Sequence, residues 1–238
     1  MPKIDAGKYG YCNSGNITSS FTDARETGSS ATNQPTSANI KVADFFTDAG
    51  KGARSWRFFR FFCAFDTSSY SSGYTISNLT FNWRNTGSTT CTPSICFPTF
   101  IFVKSTAQGS ADTDLATSDY YSSVTYGTAY SSNFNISTSA GDASVSLNST
   151  AVTDFASGLL KVVMVQYGND YSDTTSTSNM QQRAQANFSS GSSGYVPYIQ
   201  FDAVATGWEN DISGVVNSNI QRVYPIPVTN IENIVGVE

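Results

Sequence analysis

Eighteen acidic and thirteen basic residues, with no histidine at all, set the chemistry open to this 238-residue chain. Without an imidazole, Ser-His-Asp and Cys-His relays and most zinc-hydrolase ligand sets are excluded. What remains for acid–base work is a pair of carboxylates, the arrangement used in glycoside hydrolysis. Glutamate supplies only Glu26, Glu209, Glu232 and Glu238. Asp112 with Asp114, and Asp170 with Asp173, are close in sequence, but both pairs lie in stretches rich in Ser, Thr and Asn. There an Asp side chain ordinarily accepts hydrogen bonds from nearby backbone amides. The Asn169-Asp170…Asp173 segment has the oxygen-rich character a hard cation prefers, without EF-hand spacing. The expectation is a protein that is not an enzyme and that has no metal or cofactor.

Cys12, Cys63, Cys91 and Cys96 complete the reactive groups. Cys63 falls inside a Phe-rich segment and reads as a small buried hydrophobe. Cys91 and Cys96 flank a Thr-Pro-Ser-Ile loop and read first as a reduced thiol pair, second as a late disulfide. Asp66 reads as a turn-fixing carboxylate at the end of a strand, with Arg54 or Arg60 as cross-strand partners. Tyrosines crowd two loop-rich segments: Tyr120, Tyr121, Tyr126 and Tyr130 in one, Tyr167 and Tyr171 in the other. Rings of this kind beside Asn, Asp and Gln could form a sugar platform, although a core or rim position is the commoner fate of any one tyrosine.

These groups must be held by strands. Residues 55–65 place Phe58 and Phe62 on one face and Phe59, Phe61 and Phe65 on the other, so both sides of this segment should be covered. Residues 74–84 alternate Leu79, Phe81 and Trp83 against Asn78, Thr80, Asn82 and Arg84, a half-buried strand. Further strands are expected at 8–12, 38–46, 99–104, 124–127, 133–138, 144–147, 159–167 and 197–204. A short helix or turn is expected within 112–123, and a helix over 150–157 closed by Gly158. Residues 27–36 and 168–194 read as polar loops. Aromatic and β-branched residues with abundant Ser, Thr, Asn and Gly give an all-β reading: an antiparallel β-sandwich, jelly-roll-like, over residues 1–206.

Residues 207–238 differ in character. Asn219-Ile-Gln-Arg-Val223 recurs as Asn230-Ile-Glu-Asn-Ile234, and Ile212-Ser-Gly-Val215 is echoed by Ile234-Val-Gly-Val237. Pro225 and Pro227 between the copies exclude one continuous helix. The apolar positions Ile212, Val215, Ile220, Val223, Ile231, Ile234 and Val237 need a surface to pack on, and the expected one is another copy or another protein.

A net charge of −5, with no basic cluster beyond Arg54, Arg57 and Arg60, excludes nucleic-acid binding. No apolar run is long enough for a membrane span, and Met1-Pro-Lys-Ile-Asp5 lacks the apolar core of a secretory signal. Synthesis in a cytoplasm is expected.

The run Arg54…Arg60…Phe65-Asp66-Thr67-Ser68 followed by Gly73-Tyr-Thr-Ile-Ser-Asn-Leu79 resembles DNRLRE-like, carbohydrate-binding-module-like β-sandwich domains. These occur in bacterial surface proteins and bacteriophage virion proteins; Asn78 stands where their pattern prefers Ala. The order of segments 159–167 and 194–201 is similar, and the tail echoes look like short C-terminal repeats of phage structural proteins. The resemblance implies a structural role in a phage virion assembled in the host cytoplasm, with other virion proteins and its own copies as partners. Its place would be a head decoration, a neck or tail fitting, or a fibre. The alternative is an adhesin binding host surface glycans.

Overall fold

The computed structural model describes residues 1–17, 20–33, 40–48, 55–86, 90–92, 99–108, 110–122, 127–136, 139–175, 180–186 and 195–206. In chain order the elements are β1 (Lys3–Asp5), β2 (Lys8–Asn13), α1 (Phe21–Glu26), β3 (Ser30–Asn33), β4 (Ile40–Asp48), β5 (Ser55–Asp66), β6 (Tyr74–Thr86), β7 (Thr90–Thr92) and β8 (Thr99–Lys104). They continue as α2 (Asp119–Ser122), β9 (Phe134–Asn135), β10 (Ala140–Ser146), α3 (Ser149–Phe155), β11 (Leu159–Gln166), β12 (Met180–Ala186) and β13 (Tyr198–Ala205). A 3-10 turn at Ser68–Tyr70 links β5 to β6, and a π-helical turn at Tyr167–Tyr171 follows β11.

The strands form two antiparallel layers of a sandwich-like all-β fold. One layer runs β3-β2-β5-β11-β8-β9, and the other runs β1-β13-β6-β10. β4 pairs with the first part of β5 and with β12, and β12 meets β6 at Ala186–Asn85, joining the layers. The twelve residues of β5 organise the first layer: Phe61 lies opposite Tyr11 of β2 on one side and Met164 of β11 on the other.

The period-2 alternation of these strands determines where the core lies. Phe61, Cys63 and Phe65 of β5 face Leu79, Phe81 and Trp83 of β6, with Phe102, Met164, Phe201 and Phe155 in the same buried cluster. Ring centroids of Phe81 and Phe102 lie 4.4 Å apart, and Phe65 meets Phe81 edge-on at 5.8 Å. Such pairs add about 0.5–1.5 kcal/mol each beyond the area they bury. On the opposite face of the same layer, Phe58, Phe62, Ile101, Val103, Val163 and Val165 are buried under Phe21 and Ala24 of α1, Tyr120 of α2, and Leu115. The layer is therefore covered on both sides, as the two-faced Phe pattern of β5 requires.

Local chemistry sets the short helices. Ser20 caps α1 by accepting from the Asp23 amide at 2.9 Å, and Asn148 caps α3 by accepting from Thr150 and Ala151. Gly158, at φ +90°, closes the chain after α3 in a conformation that favours glycine. Two segments expected as polar loops contain strands instead, β3 and β12. The sequence of β12, Met-Gln-Gln-Arg-Ala-Gln-Ala, lacks apolar alternation, and its strand form follows from pairing with β4 and β7. Residues 124–126 of the strand expected at 124–127, the Cys91–Cys96 pairing and the whole of 207–238 lie outside the described residues.

Candidate functional site

The strongest polar constellation sits on the covered face of β5. Arg60 follows the same alternation as Phe58 and Phe62, which directs its side chain into the apolar layer beneath α1 and α2. A guanidinium there, 1% exposed, requires a carboxylate and a full set of acceptors. Asp170, also 1% exposed, supplies the first. Arg60 Nε donates to Asp170 Oδ2 and Arg60 Nη2 to Oδ1, both at 2.8 Å. This fork is the strongest geometry for such a pair. The remaining donors reach the carbonyls of Tyr120 at 2.6 Å and Arg25 at 2.8 Å. The Tyr120 ring lies 4.0 Å from the guanidinium carbon, and its hydroxyl donates to the Ala24 carbonyl at 2.6 Å. Burial works against the charged form of Arg60, and the adjacent Asp170 carboxylate more than offsets it, so the guanidinium is held above its ordinary range.

The π-helical turn presents Asp170 by capping itself: Gln166 Oε1 accepts from the amides of Asn169 at 2.6 Å and Asp170 at 3.1 Å. Arg25 of α1 donates through Nε and Nη2 to the Asp170 carbonyl and pairs with the exposed Asp173 through Nη1. One clamp thus joins β5, α1, α2 and the turn after β11. Two guanidiniums beside Asp170 oppose a further cation there, and its carboxylate, expected to fix a turn, serves as their internal counter-ion. Among the described residues no group of three or more Cys, Asp or Glu is placed to hold a metal.

A second constellation opens to solvent. Lys104, Ser105, Tyr130, Asp154, Ser157, Leu159 and Lys161 line a cleft of about 240 Å³ at the end of β8, beside α3 and the start of β11. Asp154 accepts from Lys104 Nζ at 2.8 Å and from the Tyr130 hydroxyl at 2.6 Å. Burial raises the Asp154 carboxyl, and these two bonds outweigh it, leaving it below the usual carboxylate range. Burial and the neighbouring acid push the Tyr130 phenol up. Lys161 donates to the Gln108 carbonyl at 2.7 Å, and its ammonium is lowered, chiefly by burial. One carboxylate lines the cleft, so the acid and base of a two-carboxylate hydrolysis are not both provided there.

The tyrosines expected to offer a platform separate into three groups. Tyr120 and Tyr130 are 0% and 1% exposed with their hydroxyls bonded internally, which removes both from a glycan surface. The correction follows from packing: each ring is buried in a core cluster, and its hydroxyl donates within the chain, Tyr120 to the buried Ala24 and Tyr130 to the partly exposed Asp154. The side chain of Tyr121 and the whole of Tyr126 lie outside the described residues. Tyr171 is partly exposed and stacks on Tyr167 with ring centroids 5.7 Å apart. The tail positions Ile212, Val215, Ile220, Val223, Ile231, Ile234 and Val237 lie beyond the described residues, which end at Thr206.

Other charged groups resolve locally. Asp66 accepts from the Ser68 amide at 3.0 Å, the turn-fixing role expected, and hydrogen bonding from the Ser68 side chain first and its amide second lowers the carboxyl. Its expected partner Arg60 turns inward to Asp170 instead, and Arg54 lies outside the described residues. Asp114 pairs with Lys8 at 2.9 Å. Among the described residues no helix is long and apolar enough to cross a membrane.

The Arg60–Asp170 clamp was missed by sequence reasoning, although an Arg in phase with Phe58 and Phe62 on a strand covered from both sides signals a buried guanidinium. Comparison with known proteins finds no matching family model, no matching curated protein and no matching solved structure.

Proposed function

We propose that this chain is a non-enzymatic structural component of a phage virion, working through contacts among its copies and with neighbouring virion proteins. The observation that supports this reading most is the use of its polar chemistry. The buried ionic groups Arg60, Asp170 and Arg25 are spent on fastening helices and a turn to the sheet, and Tyr120 and Tyr130 satisfy internal acceptors. That makes a fastened scaffold, and residues 207–238 follow β13 in the chain. Ile212, Val215, Ile220, Val223, Ile231, Ile234 and Val237 would each contribute roughly 1.5–3 kcal/mol if fully buried on docking, and repetition over many subunits multiplies the effect.

The test compares the full chain with a version ending at Thr206. The shortened chain should retain the folded sandwich and lose incorporation into particles or oligomers. Equal assembly of both forms would defeat the role given to the tail.

A second reading, a glycan-binding adhesin, draws on the Tyr167–Tyr171 stack, whose partly exposed rings stand beside buried Asn169. A glycan array probed with the shortened chain distinguishes the two, because an adhesin retains its ligands without the tail. Loss of a specific array signal in Tyr171→Ala would support the adhesin.

A further inference from the structure

The geometry points to the free edge of β10 as a two-fold contact between two copies of this chain. This inference deepens the multi-copy reading above and rests on it. β10 pairs with β6 along its whole length, from Ala140 opposite Thr86 to Ser146 opposite Thr80, and no other strand among the described residues lies along its second edge. In an antiparallel strand every second residue directs its N–H and C=O away from the neighbour already paired, so that edge presents a row of backbone donors and acceptors. The other free edges are shorter: β1 and β7 have three residues, β9 two and β3 four, against seven in β10. Protective devices are scarce on β10. It has no Lys, Arg or Pro, and its one charge, Asp142, is paired with Arg84 at 3.1 Å.

The sequence of β10 favours its own copy as the occupant. Antiparallel self-pairing centred on Ala143 sets Ala140 opposite Ser146, Gly141 opposite Val145, Asp142 opposite Ser144 and Ala143 opposite itself. In this register neither Asp142 meets the other; each faces a hydroxyl, so the charges are compatible with a two-fold axis. Shape agrees with charge. Nothing lies within 4 Å of the position a Cβ on Gly141 would take, so there is room for the second copy's Val145. Ala143 and Val145 are half-buried against the aromatic core, and the contact extends that apolar face across both copies. The β1-β13-β6-β10 layer then continues through the axis into the same layer of the second copy.

Two substitutions on the full chain test both the edge and its register, with sedimentation across a concentration series as the readout. Ser144→Asp places a carboxylate opposite Asp142 at two symmetric points and should weaken self-association about tenfold, with partial recovery at high salt. Ser144→Lys puts opposite charges at the same points and should strengthen it. Ala143→Cys should give a dimer that reducing agent separates, because residues facing each other across antiparallel strands lie within reach of a disulfide. Thermal melts of each variant at low concentration confirm that the sandwich is folded. A chain that self-associates equally in wild type, Ser144→Asp and Ser144→Lys, with no new cross-link in Ala143→Cys, overturns this interface and leaves the multi-copy reading standing. A chain that stays monomeric at every concentration, alone and with residues 207–238 intact, overturns both.

Discussion

Replacing Asp170 by Asn tests the clamp at its centre with almost no change of shape. Arg60 and Arg25 have side chains 1% and 5% exposed, and Asp170 is the buried carboxylate that faces both. Asp173 balances Arg25 from the surface, 64% exposed, and makes no ion pair with Arg60. After the change Arg60 retains the Tyr120 and Arg25 carbonyls but loses its counter-ion. Breaking a buried pair in this way costs about 3–5 kcal/mol, against a total stability on the order of 5–15 kcal/mol for a natural domain. At about 2–4 °C per kcal/mol for a chain of this size, the melting temperature should fall by about 6–20 °C. The assay is urea unfolding followed by tryptophan fluorescence, since Trp83 packs with the inter-layer core and Trp56 against the covered face. Arg60→Met alone should be costly too, because it takes from the buried Asp170 carboxylate both 2.8 Å bonds of its fork. The double variant should be more stable than the sum of the two losses predicts, by about 0.5–3 kcal/mol. A cost below about 1 kcal/mol for Asp170→Asn, or strict additivity in the double variant, would show that the pair is not the fastening described.

Three further outcomes follow from local geometry. Asn148→Ala removes the cap of α3 and a bond to the Ala129 carbonyl, and should cost about 1 kcal/mol in the same unfolding assay. The Asp154 carboxyl is lower in the folded protein than in the unfolded chain. Its contribution is therefore present above the unfolded carboxylate value and is lost as pH falls through the lower folded value. Acid titration of stability should be shallower in Asp154→Asn than in wild type across that window. Burial pushes the Cys12 thiol up to about 12 and the Cys63 thiol well above its ordinary value; at mildly alkaline pH both should resist alkylation until denaturant is added, as mass mapping of the labelled peptides would show.

Much of the scaffold could be read from residue types alone. β6 and β13 announce themselves by apolar alternation, β5, β8 and β11 by apolar runs that fill both faces, and α3 by an Asn cap and a closing glycine. β3 and β12 did not, because their sequences are polar and their conformation comes from partners distant in the chain, such as the β4–β12 ladder. The clamp shows the same limit from the other side. The inward phase of Arg60 is visible in sequence, but its partner lies 110 residues later in a Ser- and Asn-rich segment where an Asp ordinarily fixes a turn. Tyr120 and Tyr130 do not serve as platform rings for a related reason: ring and hydroxyl suit a buried site with one acceptor as well as a wet surface. Only the three-dimensional layers separate Tyr120 and Tyr130 from Tyr171.

Electron cryomicroscopy of the intact chain in its assembled form bears most directly on whether this protein works by joining copies and neighbours. The structural reading predicts repeated copies in ordered contact, density for residues 207–238 against an adjoining subunit, and β10 strands meeting across a two-fold axis. Isolated monomers at every concentration, engaging only a sugar at the Tyr167–Tyr171 face, would contradict it.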